Sequence, residues 1–190
     1  MSIFIVGIGG SFDPDSQSER ALRAVLAGAQ RRGAQIASFT GRALDFDPYH
    51  YGAALPDTAR DYVEAVRRAD AVVIASPGYH GTVSGLVKNA LDYLEELRSD
   101  ERPYLHGRPV GAIAVARGWQ AAVGTLGTLR QVIHALRGWP APMGLTINSA
   151  VTTFGPDAVP DDPAVAGAVE VLAGQLVEFL DGRGPNVPPR

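Results

Sequence analysis

The 190-residue chain contains no cysteine, which excludes disulfides, thiolate nucleophiles, cysteine-ligated iron–sulfur clusters and cysteine zinc sites. It also has no surplus of positive charge: 17 Lys and Arg stand against 20 Asp and Glu, a formal net charge of −3. A phosphodiester backbone finds no basic field here, so nucleic acid is not expected as a partner. A single anionic mononucleotide remains compatible, because it needs only one local site. Long hydrophobic runs are missing as well. The opening MSIFIVGIGG carries no basic n-region, and its apolar run is too short for a signal peptide or a membrane span. The expectation is a cytoplasmic, soluble protein without a membrane partner.

The signatures of several enzyme classes are absent too. The first glycine-rich loop reads Gly7-Ile8-Gly9-Gly10-Ser11-Phe12, so the third glycine of the dinucleotide fingerprint is missing, and no Walker lysine follows. No serine occupies a Gly-x-Ser-x-Gly elbow. His50, His80, His106 and His134 show none of the close spacings of a metal site, so no metal is expected.

What the chain does contain is an alternation of short apolar runs with longer segments of helical period. Residues 3–9, 34–40, 71–76, 110–116 and 143–149 read as strands, the type expected when both faces are buried. Leu22, Val25, Leu26 and Ala29 share one face of a first helix, and a second begins near Asp57. Leu86, Ala90, Leu94 and Leu97 line a third, Val123, Leu126, Ile133 and Leu136 a fourth, and Val165, Val169, Leu172 and Leu176 a fifth. Five such units predict an α/β fold, a parallel sheet with helices on both faces. With 46% hydrophobic residues, residues 1–181 are expected to form one domain, and 182–190 a flexible tail with too little apolar content to pack. Ligands of such sheets sit outside the carboxyl ends of the strands. The loops after Gly9, Ser76 and Ala116 are therefore the candidate site.

The first of these loops, GSFDPDSQSER, places the hydroxyls of Ser11, Ser16 and Ser18, together with Gln17, at a helix N-terminus, which is a recipe for one phosphate. Ser16 to Glu19 equally matches a capping box that needs no ligand. In the second loop, SPGYHGTVSGLVKNALD, glycines at 78, 81 and 85 allow backbone to approach a flat ligand and read its edge. Read blandly, Gly78 and Gly81 are turn residues and Gly85 starts a helix.

Together these blocks resemble the NADPH-dependent FMN reductase family of flavodoxin-like proteins. The family pattern runs Gly-Ser-x-Arg-x-x-Ser-x-Asn/Ser, then Pro-x-Tyr-x-x-x-x-Pro-Gly-x-Leu-Lys-Asn-x-Leu-Asp after the third strand. Pro77, Tyr79, Gly85, Lys88, Asn89, Leu91 and Asp92 match the second block, which departs by Ser84 for proline and Val87 for leucine. The likeness continues through residues 108–140. It implies a flavodoxin-like three-layer sandwich with strand order 2-1-3-4-5, and FMN as cofactor. Ser11, Ser16, Gln17 and Ser18 would contact the phosphate, Pro77, Gly78, Tyr79, His80 and Gly81 would run along the flavin's polar edge, and Gly118 would line the other side of the ring. Trp119 adds a wall there or packs under the fourth helix; Tyr79 covers the ring or packs beneath it; His80 donates to the flavin or lies exposed. Lys88 and Asp92 read as an exposed helix pair.

The implied activity is hydride transfer from NADPH or NADH to flavin N5. Electrons would then go to free flavin, a quinone, a nitro or azo compound, or a partner monooxygenase. This chemistry needs stacked rings rather than an acid–base dyad, so no catalytic side chain is assigned. The rival readings are a flavodoxin-type electron carrier and an FMN-free interaction module. By resemblance the protein is a homodimer or homotetramer. Tyr93, Leu94, Leu97 and Tyr104 are candidates for an apolar contact patch, although helix-on-sheet packing also accounts for Leu94 and Leu97. One departure stands out: the family's phosphate-loop arginine falls on Asp13, with Asp15 and Glu19 adding acids and Arg20 the nearest cation. FMN is accordingly expected to bind less tightly than in relatives that keep the arginine.

Overall fold

The computed structural model describes residues 3–182. Runs of β-branched and small apolar residues form five strands, β1 (Phe4–Gly9), β2 (Gln35–Phe39), β3 (Ala71–Pro77), β4 (Pro109–Ala116) and β5 (Trp139–Asn148). The intervening segments supply α1 (Gln17–Arg31), α2 (Asp57–Arg68), α3 (Gly85–Asp92) and α4 (Trp119–Ala135), and α5 (Pro163–Asp181) follows β5. Beyond Gly182, the tail expected over 182–190 lies outside the described residues.

All pairings are parallel and the strand order is β2-β1-β3-β4-β5, as expected for a flavodoxin-like sandwich. Val6 pairs with Val72, Ile74 with Ala112 and Ile113 with Leu145. Alternate residues serve opposite layers, as the two-residue period of a strand requires. Val6, Ile8, Val72 and Ile74 pack with Tyr62 and Val63 of α2, Val87 of α3, and Leu129 and Ile133 of α4. Ile5, Val73, Ile113 and Val115 pack with Leu22 and Val25 of α1 and with Leu172 and Leu176 of α5. Each fully buried Leu, Ile or Val stabilises the fold by roughly 1.5–3 kcal/mol relative to exposure. The order reverses at β1: β2 lies on one side of it and β3 on the other, so a crevice opens above their carboxyl ends. Among the described residues α5 is the one helix long and apolar enough to cross a membrane by length and composition. Its apolar face is buried against α1, β4 and β5.

Three elements differ from the sequence expectation. β5 begins at Trp139, four residues before the run read as a strand, and includes Pro140 and Pro142. β5 is an edge strand, where a missing N–H can face outward at no cost to the ladder. Val123 is 58% exposed, because the buried stripe of α4 runs through Ala122, Thr125, Leu126, Leu129 and Ile133. The third helix ends at Asp92 and tightens into a 3-10 turn over Tyr93–Leu97, which turns Tyr93, Leu94 and Leu97 inward. That side chain set is spent on the chain's own core and offers no patch to a partner. Tyr104 is half-buried and lies under the Arg137 guanidinium, 5.3 Å from ring centroid to Cζ.

The lower end of the sheet is tied by one buried cation. Arg108, 1% exposed, donates from Nε to the Ala69 carbonyl at 2.8 Å, from Nη1 to Tyr104 at 2.7 Å and from Nη2 to Arg67 at 2.7 Å. These bonds close the carboxyl end of α2 and the preceding loop onto the start of β4. Arg108→Ala is expected to destabilise the protein by about 3 kcal/mol, since the carbonyls lose their donors in a buried place; urea unfolding measures it.

Candidate functional site

At the carboxyl end of β1 the chain runs through residues 10–16 into α1. The loop is held by its own short side chains: Asp13 N donates to Ser11 Oγ at 3.2 Å, Asp15 N to Asp13 Oδ1 at 2.9 Å, and Ser16 N to the Asp13 carbonyl at 3.1 Å. Ser16 is the N-cap of α1; its Oγ accepts from Glu19 N at 3.3 Å and lies 3.1 Å from Ser18 Oγ. With the amides of Ser16 and Glu19 taken, those of Gln17 and Ser18 are the donors the helix start leaves free. Asp13 and Asp15 are exposed, and Asp15 pairs with Arg20 at 3.4 Å. The two loop acids therefore face water, where screening weakens their repulsion of an anion.

Only half of the capping box forms. Ser16 N is already bonded to Asp13, so Glu19 does not reach back to it. Instead the Glu19 side chain, 2% exposed, folds beneath the loop, and its Oε1 accepts from Ser11 N at 3.1 Å. A Cβ on Gly9 would stand 2.3 Å from Glu19 Oε2, so a side chain at position 9 would have no room. Burial pushes the Glu19 carboxyl up from 4.5 to about 7; the Ser11 amide and Arg23 pull it down, and Asp13 pushes it further up. Gln17 has a further duty. Its Oε1 accepts from Phe154 N at 2.6 Å and its Nε2 donates to the Phe154 carbonyl at 3.4 Å, which Arg20 Nη1 also meets at 2.8 Å. The Gln17 side chain thus clamps the loop between β5 and α5, and its backbone amide is the part left for a ligand.

The second wall follows β3. Ser76 Oγ accepts from Ser84 N at 2.9 Å and donates to the Pro77 carbonyl at 2.9 Å, which ties the two ends of the intervening loop. Gly78 N donates to the Val115 carbonyl at 2.7 Å, and a Cβ there would come within 2.8 Å of Thr125 Oγ1. Tyr79 and Thr82 exchange both backbone bonds around His80 (φ 52°) and Gly81 (φ 85°), the positive pair of a tight two-residue turn. Ser84, where the family pattern has proline, caps α3 by accepting from Val87 N at 3.2 Å. Asn89 of the same block accepts from Tyr49 N at 2.9 Å and donates to the carbonyls of Phe46 at 3.2 Å and Asp47 at 3.1 Å. Lys88 and Asp92 form the exposed pair, 2.6 Å apart.

The third wall is Val115 and Ala116 at the end of β4, with Arg117 and Gly118 beyond it. Together the three walls enclose a cleft of about 510 Å³ lined by Ser11, Ser16, Gln17, Ser18, Pro77, Gly78, Tyr79 and Gly118, joined by Val115, Ala116, Arg117, Ala121 and Ser149. Of the expected set, His80 and Gly81 stand apart: with Gly118, Gln120 and Ala121 they line an adjoining recess of about 390 Å³. His80 is exposed, Tyr79 is 56% exposed at the rim, and Trp119, 54% exposed, neither packs under α4 nor lines either space. Arg117 is the one charged residue in the cleft lining and is exposed. Its signal was positional, directly after β4 at the end where this architecture binds ligands. Ser149, whose N donates to the Ala116 carbonyl at 2.8 Å, follows the edge strand and carried no motif.

The residues present fit an FMN. The cleft volume falls in the range of cofactor sites, one end offers free amides and three serine hydroxyls suited to a phosphate, and the rest is bare backbone with one cation. Among the described residues no group of three or more His, Asp or Glu stands together as a metal site.

Glu19 generates a pH-dependent prediction. Its folded pKa lies above its unfolded value, so the native state holds more protons between about pH 4.5 and 7, and its contribution to stability is lost as pH rises through that window. Glu19→Gln is therefore expected to raise Tm at pH 8 but not at pH 5, by about 2–4 °C per kcal/mol relieved. Thermal unfolding at the two pH values measures it.

The family model of the NADPH-dependent FMN reductases matches residues 3–152. An FMN-dependent NADPH-azoreductase of Staphylococcus haemolyticus is 28% identical over 124 residues, 64% of this chain and 62% of that protein. An NAD(P)H-dependent FMN reductase of Pseudomonas aeruginosa is 29% identical over 133 residues, 70% of this chain and 66% of that protein. The chain thus spans less than two thirds of the length of these two relatives. Among solved structures, the flavoenzyme NAD(P)H:(acceptor) oxidoreductase FerB of Paracoccus denitrificans superposes with a TM-score of 0.79 at 18% identity, covering 95% of this chain and 98% of that one. At that identity the superposition speaks for the fold. With a family match across 150 of its residues, the chain belongs to the NADPH-dependent FMN reductase family.

Proposed function

We propose that this chain is an FMN-dependent NAD(P)H oxidoreductase, folded as one FMN-binding domain. The observation that carries the reading is a cleft that pairs a phosphate-ready helix start with bare backbone from two further loops. The amides of Gln17 and Ser18 and the hydroxyls of Ser11, Ser16 and Ser18 hold the phosphate. Backbone from Pro77 to Tyr79, with Gly118 opposite, takes the ring. FMN supplies a two-electron carrier whose N5 accepts hydride from a nicotinamide. The chain's own part is to exclude water from the ring's buried side and to keep both reactants in register. Arg117 adds positive charge beside the ring site, which favours extra negative charge in the cleft. The adjoining recess beside His80 and Gly81 offers space for the nicotinamide, and afterwards for the acceptor. That acceptor is a small oxidant such as free flavin, a quinone, or a nitro or azo compound, or a partner monooxygenase. The azoreductase names of several relatives favour the azo class.

The working form we propose is a homodimer or homotetramer in the cytoplasm. The exposed apolar side chains Tyr79, Trp119 and Val123 at the cleft rim and on α4 provide a surface for a second copy.

Anaerobic stopped-flow absorbance near 450 nm, on protein reconstituted with FMN, tests the activity. Rapid bleaching on mixing with NADPH or NADH is expected, the faster donor identifying the physiological nicotinamide. Bound FMN that neither donor bleaches would overturn the reductase reading in favour of an electron carrier.

A further inference from the structure

Among the described residues Glu19 is the only buried carboxylate, and the reductase chemistry gives it no task. Its position is unusual for a charge. Oε1 holds the Ser11 amide at 3.1 Å, both carboxylate oxygens press on the bare face of Gly9, and Ser11 itself lines the cleft at its phosphate end. The carboxylate thus lies one peptide away from the place a phosphate would occupy, and it already holds a donor of that loop.

The charged surroundings do not neutralise it. No salt bridge to Glu19 is formed among the described residues. On its own helix Arg23 acts from a distance while its Nη1 donates to the Pro14 carbonyl at 2.8 Å. Arg20, its neighbour, is committed to Phe154 and Asp15. From the loop, Asp13 adds negative charge. The carboxyl end of β1 contributes glycines and backbone. The 3-10 turn Gly41–Leu44, packed against the backbone of Ser11 and Phe12, carries Arg42, which is exposed. A phosphate dianion entering beside Ser11 therefore meets a like charge in a place that water screens poorly.

Building on the FMN reading, we propose that Glu19 couples cofactor binding to a proton: its carboxyl is neutral whenever a phosphate occupies the loop, so FMN binds with uptake of one proton and is released as the carboxyl ionises. Burial has already raised the free carboxyl to about 7, which puts the transition at neutral pH. Phosphate raises the Glu19 pKa further, so affinity is level below about pH 7 and falls above it, by up to about tenfold per pH unit. The second ionisation of a phosphate ester, near 6, lies below that window. A reductase built this way would hold FMN as a cofactor in mild acid and pass it on as a diffusing product in mild alkali.

The test is titration of the full chain with FMN between pH 6.5 and 9, with proton uptake measured by calorimetry in two buffers of different ionisation enthalpy, for wild type and Glu19→Gln. Riboflavin, which lacks the phosphate, is the control. The expected result is a wild-type Kd for FMN that rises about tenfold between pH 7.5 and 8.5 with close to one proton taken up. Riboflavin should show no such trend, and Glu19→Gln should bind FMN with a level, tighter Kd at pH 8.5. A level wild-type Kd without proton uptake overturns the proposal and leaves the flavin reading standing, as does a variant that keeps the wild-type slope. Should the variant fail to fold, the wild-type proton count decides alone. FMN binding by neither protein at any pH would remove the flavin reading itself, and the proposal with it.

Discussion

The reversal of strand order at β1 is the constraint on which the site depends. Because β2 and β3 leave β1 on opposite sides, the backbone segments that follow β1 and β3 diverge, and nothing in the sheet's own connectivity fills the space between them. Backbone around such a space has polar groups that must be satisfied without closing it. The chain does this with polar side chains that bond backbone, most of them across long stretches of sequence. Ser76 ties the two ends of the loop after β3. Gln17 and Arg20 grip Phe154 on the loop after β5. Asn89 holds residues 46–49. Each anchor spends a polar side chain on backbone, which leaves the cleft itself to amides, serine hydroxyls and one arginine.

Much of the fold was legible because β3 and β4 are buried on both faces, and continuous apolar runs announce that directly. β5 was legible only in its second half. Its prolines read as breakers, and the edge position that makes them tolerable is a property of the assembled sheet. The same holds for Tyr93, Leu94 and Leu97. An apolar stretch next to a glycine-rich loop has two ways to be covered, by a partner or by its own core, and the 3-10 turn that selects the second is set by packing. Val123 shows the complementary limit: one apolar residue on a mostly apolar helix does not say which side is the stripe.

In the cleft, the residues that offer backbone or hydroxyl at strand ends were legible from loop composition, and Gly118 and Arg117 by their position after β4. Glu19 was visible as a residue but not in its role. A capping box is a local rule, and it loses here to a tertiary one: the amide it would have served is bonded within the loop, while the bare Gly9 leaves room beneath it for a carboxyl group. Arg117 and Ser149 follow the ends of β4 and β5; the first was legible only by its place after a strand, and the second carried no motif. The substitution of Asp13 for the family's arginine bears less directly on the phosphate than the sequence alone implied, since the Asp13 side chain is turned to water and bonds Asp15 N.

In the proposed complex the start of α1 anchors FMN through its phosphate, with the ring laid on backbone beyond it. Comparing FMN with riboflavin by fluorescence quenching at one pH below 7 tests this most directly. FMN is expected to bind at least about a hundredfold more tightly, in keeping with several charge-assisted hydrogen bonds to the phosphate. Equal affinities for the two would contradict it, because the serines and free amides at the helix start would then hold nothing.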